Sequence, residues 1–320
     1  MPLLADISPS DMQFLLQIIF DGIAYGSLIA LIALGYSMVY GIIGLINFAH
    51  GDVFMLGAFL TGSVLLGLSG INALPATDSY LLVGLWVLAL MVLAGVMCGT
   101  INVLIDLLVY KPLRKAPKLA PLVSAIGVSF VLLNIGYLWG GSGEYNLPEI
   151  ISKENLLSDE SGLRINAKSL LIIVLVVPLM LVLLFLVKRT RLGKAMRAVQ
   201  QNPTAAELMG IPVERIIATT FAIGGALAGF AGVIDAVTRG TNVFGMGYQF
   251  GLYAFTAAVL GGIGSIPGAV LGSLIIGLVR AVIESYLNAQ WSNAAIFAIL
   301  VLILVFRPAG LLGRNVREKV

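Results

Sequence analysis

The sequence predicts an all-α polytopic membrane protein, a bundle of about 8–9 transmembrane helices, some of them short or broken. Three observations predict it. Hydrophobic residues make up 59% of the chain and charged residues 11%, where a soluble domain has about 25% charged. Mean hydropathy is +1.02. Apolar stretches of spanning length recur along the chain, and Lys and Arg fall in short patches between them. That placement reads as membrane topology, so the net charge of +3 does not point to nucleic acid. The single cysteine, Cys98, excludes a disulfide framework or a Cys-based metal site within one chain. The start, MPLLADISPSDMQF, has no Lys or Arg, and the first apolar run is too long for a signal-peptide core; no removable signal is expected.

The spans follow in order. Stretches at about 14–40, 47–69, 80–109, 119–139, 169–187, 216–238 and 291–311 each approach the ~20 residues that a crossing needs. Between them, residues 250–287 contain GGIGSIPG, where Gly and Pro break a helix. Gly261, Gly262, Gly264, Pro267 and Gly268 therefore mark either two short spans or a re-entrant hairpin. These small residues can shape a gate or permit close helix packing. With two short spans the chain crosses nine times, with a re-entrant pair seven; the larger count is preferred.

Charge sets the expected orientation. Lys111, Arg114, Lys115 and Lys118 form one cluster; Lys188, Arg189, Arg191, Lys194 and Arg197 a second; Arg307, Arg314, Arg317 and Lys319 the tail. If the spans alternate, all three share a face, which the positive-inside rule makes cytoplasmic. The N-terminus, with Asp6 and Asp11, and the polar loop 140–168 then lie outside. Two i, i+4 couples, Asp235–Arg239 and Arg280–Glu284, fall near the outer boundary, and Asp106 sits at the inner interface.

The longest inner stretch, 188–215, is too polar to cross. Leu192, Ala195, Met196 and Val199 repeat at helical spacing. Asn202-Pro203 starts a second short helix, which Gly210 and Pro212 end. Two short helices with small residues at their junction make a surface that another protein could grip.

The least lipid-like stretch is GYSMVYGIIGLINFAHGDVFMLGAFLTG, residues 35–62. Asn47, His50, Gly51 and Asp52 lie within it. An Asp at a helix centre costs about 2.5–3.5 kcal/mol on insertion scales, so it persists beside water or a partner. Broken helices in membranes likewise line cavities. These residues are the candidate solute pathway or gate. The plainer reading makes them helix caps that satisfy free N–H groups. A lone His lacks the partners to hold a metal.

GYSMVYGIIGLINFAHGD, SAIGVSF, RLGKAMRAVQQNPTAAELMGI and YAFTAAVLGGIGSIPGA occur in this order. Together they resemble the permease subunits of ATP-binding-cassette importers for branched-chain and other neutral amino acids, from about residue 12 to the C-terminus. Urea and short-chain amide permeases share much of this text. The resemblance implies one permease domain over residues 1–320 in a bacterial inner membrane. It also implies a second homologous permease subunit, two cytoplasmic ATPase subunits and a periplasmic solute-binding protein. Gly193, Met196, Arg197, Ala205, Ala206, Glu207, Gly210 and Ile211 would form the cytoplasmic coupling segment, although an amphipathic helix on lipid headgroups has the same pattern. No G-x-x-x-x-G-K-[ST] motif is present, so this chain is expected to hold no cofactor, with ATP-Mg bound by partner subunits. No catalytic constellation is visible. The rival class is a stand-alone carrier or channel, which needs coupling-ion ligands in the membrane; Asp52, Asp106 and Asp235 are too scattered to favour it.

Overall fold

A computed structural model describes residues 9–71, 74, 79–114, 116–117, 119–151 and 166–313. Asp6, Lys115, Lys118, much of the 140–168 loop and the tail basic residues Arg314, Arg317 and Lys319 lie outside the described residues.

Helix α1 spans Pro9–Ile43, α2 His50–Gly70 and α3 Tyr80–Ile105. A π-helical turn over Asp106–Tyr110 continues α3 into the short α4, Lys111–Leu113. Then come α5 (Leu119–Gly140), α6 (Ala167–Arg189), α7 (Arg191–Gln201), α8 (Pro203–Leu208) and α9 (Val213–Arg239). The chain finishes with α10 (Met246–Gly261), α11 (Ile266–Tyr286) and α12 (Gln290–Phe306). Among the described residues, seven helices are long and apolar enough to cross a membrane, and α12 is a shorter apolar one.

The helices form an inner group and an outer group. Helices α1, α2, α9, α10 and α11 supply most of the buried core. Apolar surface does not drive helices together in lipid, so close approach through small residues does that work. A Cβ on Gly22 or Gly26 would stand under 3.0 Å from the α11 backbone, and one on Gly229 would stand 2.7 Å from the Ala94 carbonyl of α3. On α3, α5, α6 and α12 the outward positions are large and apolar: Val92, Val96, Phe130, Val131, Val182, Phe185 and Val305. Those faces suit lipid.

The region 250–287 resolves as an antiparallel pair, α10 and α11, closed by residues 262–265. Gly262 and Gly264 both take positive φ, which the turn requires. Gly261 and Gly268 pack backbone to backbone, since a Cβ on Gly268 would lie 2.3 Å from the Gly261 carbonyl oxygen. The glycines here serve packing and the turn together. Pro267 occupies the first turn of α11, where its missing N–H costs nothing, and Ser265 caps the helix by accepting from Gly268 N.

Two helices start inside the bundle. After α1 ends, Gly44 reverses the chain at φ +66° and residues 44–49 run back along it. His50 thus begins α2 against Gly35, roughly two turns before the end of α1. From the other side, residues 240–245 re-enter between the left-handed Gly240 and Gly245, and α10 begins against α2. Gly51 and Gly247 meet there; a Cβ on Gly51 would be 2.2 Å from the Gly247 carbonyl oxygen. A short antiparallel pairing of Tyr145–Asn146 with Thr241–Asn242 fastens this second link, and Asn242 Nδ2 donates to Ala58 O at 2.9 Å.

The described basic clusters gather at one end. A cavity of ≈ 860 Å³ there is lined by the ends of α1 and α6, by α7, by the 263–267 turn and by Leu312–Gly313. Arg114 reaches Glu214 at the start of α9, so its loop belongs to the same end. This agrees with the common face expected from charge.

Candidate functional site

The polar residues of the 44–52 break are buried, and each has a distinct setting. Asn47 Nδ2 donates to Asn102 Oδ1 at 3.1 Å, and Tyr110 donates to Asn47 Oδ1 at 3.2 Å. Asn102 in turn donates to the Phe221 carbonyl at 2.7 Å. One amide thereby ties the break to α3, to its π-helical turn and to α9. The His50 ring lies along Gly35 and stands edge-on to Tyr36, with centroids 4.8 Å apart. Ser129 of α5 donates to Asp52, whose carboxylate also lies beside Gly247 at the start of α10. A carboxylate in the first turn of α2 and next to the first turn of α10 complements both helix dipoles. The cap position of α2 is Ala49, with no side-chain cap bond, so Asn47 does not cap this helix.

Close by, Asp106 is 1% exposed and pairs with Arg114 at 2.7 Å. Arg114 also holds Glu214 at 2.6 Å, and Lys111 joins Glu214 at 3.2 Å. Asp106, read from the sequence as a residue of the inner interface, stands beside the basic loop and is the buried end of a four-member charge network there. Asp106 opens the π-helical turn, and Arg114 follows the short α4 that continues it.

The 188–215 segment divides into an anchor and a tip. Thr190 caps α7 by accepting from Gly193 N at 3.2 Å. Gly193 packs on the Leu186 and Val187 carbonyls, Met196 is buried, and Arg197 donates to the Val187 carbonyl. These three residues therefore fix α7 to the end of α6. Asn202 caps α8 by accepting from Ala205 N at 3.0 Å. Ala206 faces inward, whereas Ala205, Glu207 and Gly210 are exposed and Ile211 is half-buried. Gly210 turns the chain at φ +81°. The outermost groups are Leu208, 84% exposed, and Met209, 82% exposed. Sequence reasoning passed over this pair, although two large apolar residues directly before a Gly stop were its available signal.

The two i, i+4 couples form as spaced: Arg239–Asp235 at 3.2 Å and Arg280–Glu284 at 2.6 Å.

The family described as "Branched-chain amino acid transport system / permease component" matches residues 18–305. The chain belongs to that permease family. It is 38% identical over 312 residues to the high-affinity branched-chain amino acid transport system permease protein LivH of Salmonella typhimurium, covering 96% of this chain and 99% of that one. It is 40% identical over 309 residues to BraD of Pseudomonas aeruginosa, covering 95% and 98%. The permease LivM of Escherichia coli is 27% identical over 304 residues, covering 88% of this chain and 67% of LivM. No solved structure matches. The permease fold thus occupies nearly the whole chain.

Proposed function

We propose that this permease is one of two transmembrane subunits of an ATP-driven importer of branched-chain or other neutral amino acids. The observation that carries the reading is the family match over residues 18–305. Full-length likeness to LivH and BraD supports branched-chain amino acids over urea or amides. Likeness to LivM, named as a permease of the same kind of system, supports a related second subunit. The basic end faces the cytoplasm and carries the ATPase subunits; the other end receives solute from a binding protein.

In this reading the chain binds no nucleotide and moves in response to its partners. The apolar tip Leu208–Met209, stiffened by the Asn202 cap, seats in the ATPase. The anchor Gly193–Met196–Arg197 passes its displacement to α6, and the α8–α9 junction passes it to Glu214 and Arg114. The break containing Asn47, His50, Gly51 and Asp52 gates the pathway. Gly51 packed on Gly247 obliges α2 and α10 to move as a unit. Such a two-state element responds to any partner that grips one state more tightly.

The test is Leu208→Asp with Met209→Asp in the assembled importer. Both side chains point away from the bundle, so insertion and thermal stability are expected to stay as in the native chain. Stimulation of ATP hydrolysis by solute-loaded binding protein is expected to vanish. Normal stimulation would contradict the coupling role of α8.

A further inference from the structure

Two charge pairs that are remote in sequence converge on the first turns of α10. Arg239 pairs with Asp235, and its guanidinium lies 4.9 Å from the centre of the Phe250 ring. Phe250 neighbours Tyr25, with centroids 6.1 Å apart, and Arg280 lies over Tyr25 at 3.8 Å while bonding Glu284. Gln249 donates to Tyr253 at 2.7 Å, and Tyr253 donates to Asn293 of α12. The result is a polar island built by α1, α9, α10, α11 and α12.

Its depth and exposure are at odds with lipid. Tyr253 and Arg280 lie about 12 and 21 Å along their helices from the 262–265 turn at 1.5 Å per residue, so the island runs from the middle of a hydrocarbon core of ~30 Å to its outer part, short of the boundary expected from the sequence. Yet Gln249, Glu284 and Asn293 are accessible at the chain's surface, and the Arg239 and Arg280 side chains are 35% and 20% exposed. An ionised group facing hydrocarbon there is costly, and the outer faces of α3, α5 and α6 at comparable depth are Leu, Val, Ile and Phe. The island also holds unused hydrogen-bonding capacity. Among the described residues Tyr25 Oη, both Asp235 carboxylate oxygens, Arg280 Nη1 and Ser292 Oγ have no hydrogen-bond partner, and Asp235 is 1% exposed. The Asp235–Arg239 contact is an ion pair without hydrogen-bond alignment. These atoms are buried, so they lie behind the accessible Gln249, Glu284, Asn293 and Arg239 and suit bridging water.

We infer that this island is the solute-contacting wall of the translocation pathway, which the second permease closes from the opposite side. The inference rests on the permease reading and names the site within it. Two Arg balance one Asp and one Glu, so the island suits a zwitterion and disfavours a solute of net charge. A passing amino acid presents its carboxylate to Arg280 or Arg239. Its ammonium meets the exposed Glu284, while the buried Asp235 holds Arg239 in place from behind. Because each Arg already has an acid partner, the solute must exchange into an existing pair. That keeps binding weak and release fast.

The test uses the whole importer in proteoliposomes with its binding protein. Cys98 is fully buried, so the native chain is a silent background for thiol labelling. Gln249→Cys, Asn293→Cys and the lipid-side control Val131→Cys are treated with a charged, membrane-impermeant methanethiosulfonate. The first two are expected to label and the control not to. Leucine-loaded binding protein with ATP is expected to slow labelling at both, and the attached label to block uptake. Cysteines at 249 and 293 as unreactive as the one at 131, in every nucleotide state, would overturn the inference. So would labelling that leaves uptake and protection unaffected. Arg280→Gln is expected to lower uptake about tenfold, the equivalent of one charge-assisted hydrogen bond, with recovery in Arg280→Lys; uptake by Arg280→Gln equal to native would overturn the carboxylate role. A native importer that shows no ATP-driven amino acid uptake would instead sink the permease reading, so the two failures are distinguishable.

Discussion

At the scale of single residues, Arg114 and Lys111 make the sharpest contrast. Both are basic, both touch Glu214, and the sequence places them three positions apart in one cluster. Only Arg114 also satisfies the buried Asp106. Removing it strands a carboxylate out of water, which costs on the order of 3 kcal/mol. Lys111 is 49% exposed and its partner 55%, a setting in which an ion pair is worth about 0.2–1 kcal/mol. Thermal unfolding in detergent is therefore expected to show a clear drop for Arg114→Ala and almost none for Lys111→Ala. Equal losses would contradict the network. The sequence revealed that Asn47, His50 and Asp52 needed explaining, since polar groups in an apolar run always do. The partners of Asn47 (Asn102 and Tyr110) and of Asp52 (Ser129) lie 55, 63 and 77 positions away, and no local pattern encodes such distances.

At the scale of elements, periodicity and hydropathy located nearly every helix, because the bilayer demands long apolar runs. Starting points were harder to read. The Gly-rich, polar stretch marks a break between about 40 and 47, but not that the chain folds back there to set His50 inside the bundle; the positive φ of Gly44 does that. The π-helical turn at Asp106 is silent in the sequence, since a single extra residue per turn changes no periodicity a window can detect. The division of 188–215 into anchor and tip follows from contacts with the end of α6, which lie outside the segment's own periodicity. Gly193 proves to be the anchor point, with a Cβ there falling 2.1 Å from the Val187 carbonyl. Gly193→Leu must push α7 off the end of α6. It is expected to lower the melting temperature of the assembled complex and to weaken solute-stimulated ATP hydrolysis, whereas the tip variant Leu208→Asp with Met209→Asp affects hydrolysis alone. A Gly193→Leu chain as stable as the native one would show that α7 is not seated as described.

At the scale of the whole molecule, the proposed function makes the chain a conduit whose moving parts lie at the basic end. Small residues let α1, α2, α9, α10 and α11 close on each other, and two helices begin in the interior where their first turns meet. The direct test is uptake of labelled leucine by proteoliposomes holding this chain alone, under an imposed proton or sodium gradient, beside proteoliposomes holding the full set of permeases, ATPases and binding protein with ATP. The account predicts no accumulation by the chain alone and ATP-dependent accumulation by the full set. Accumulation by the chain alone, driven by an ion gradient, would contradict it.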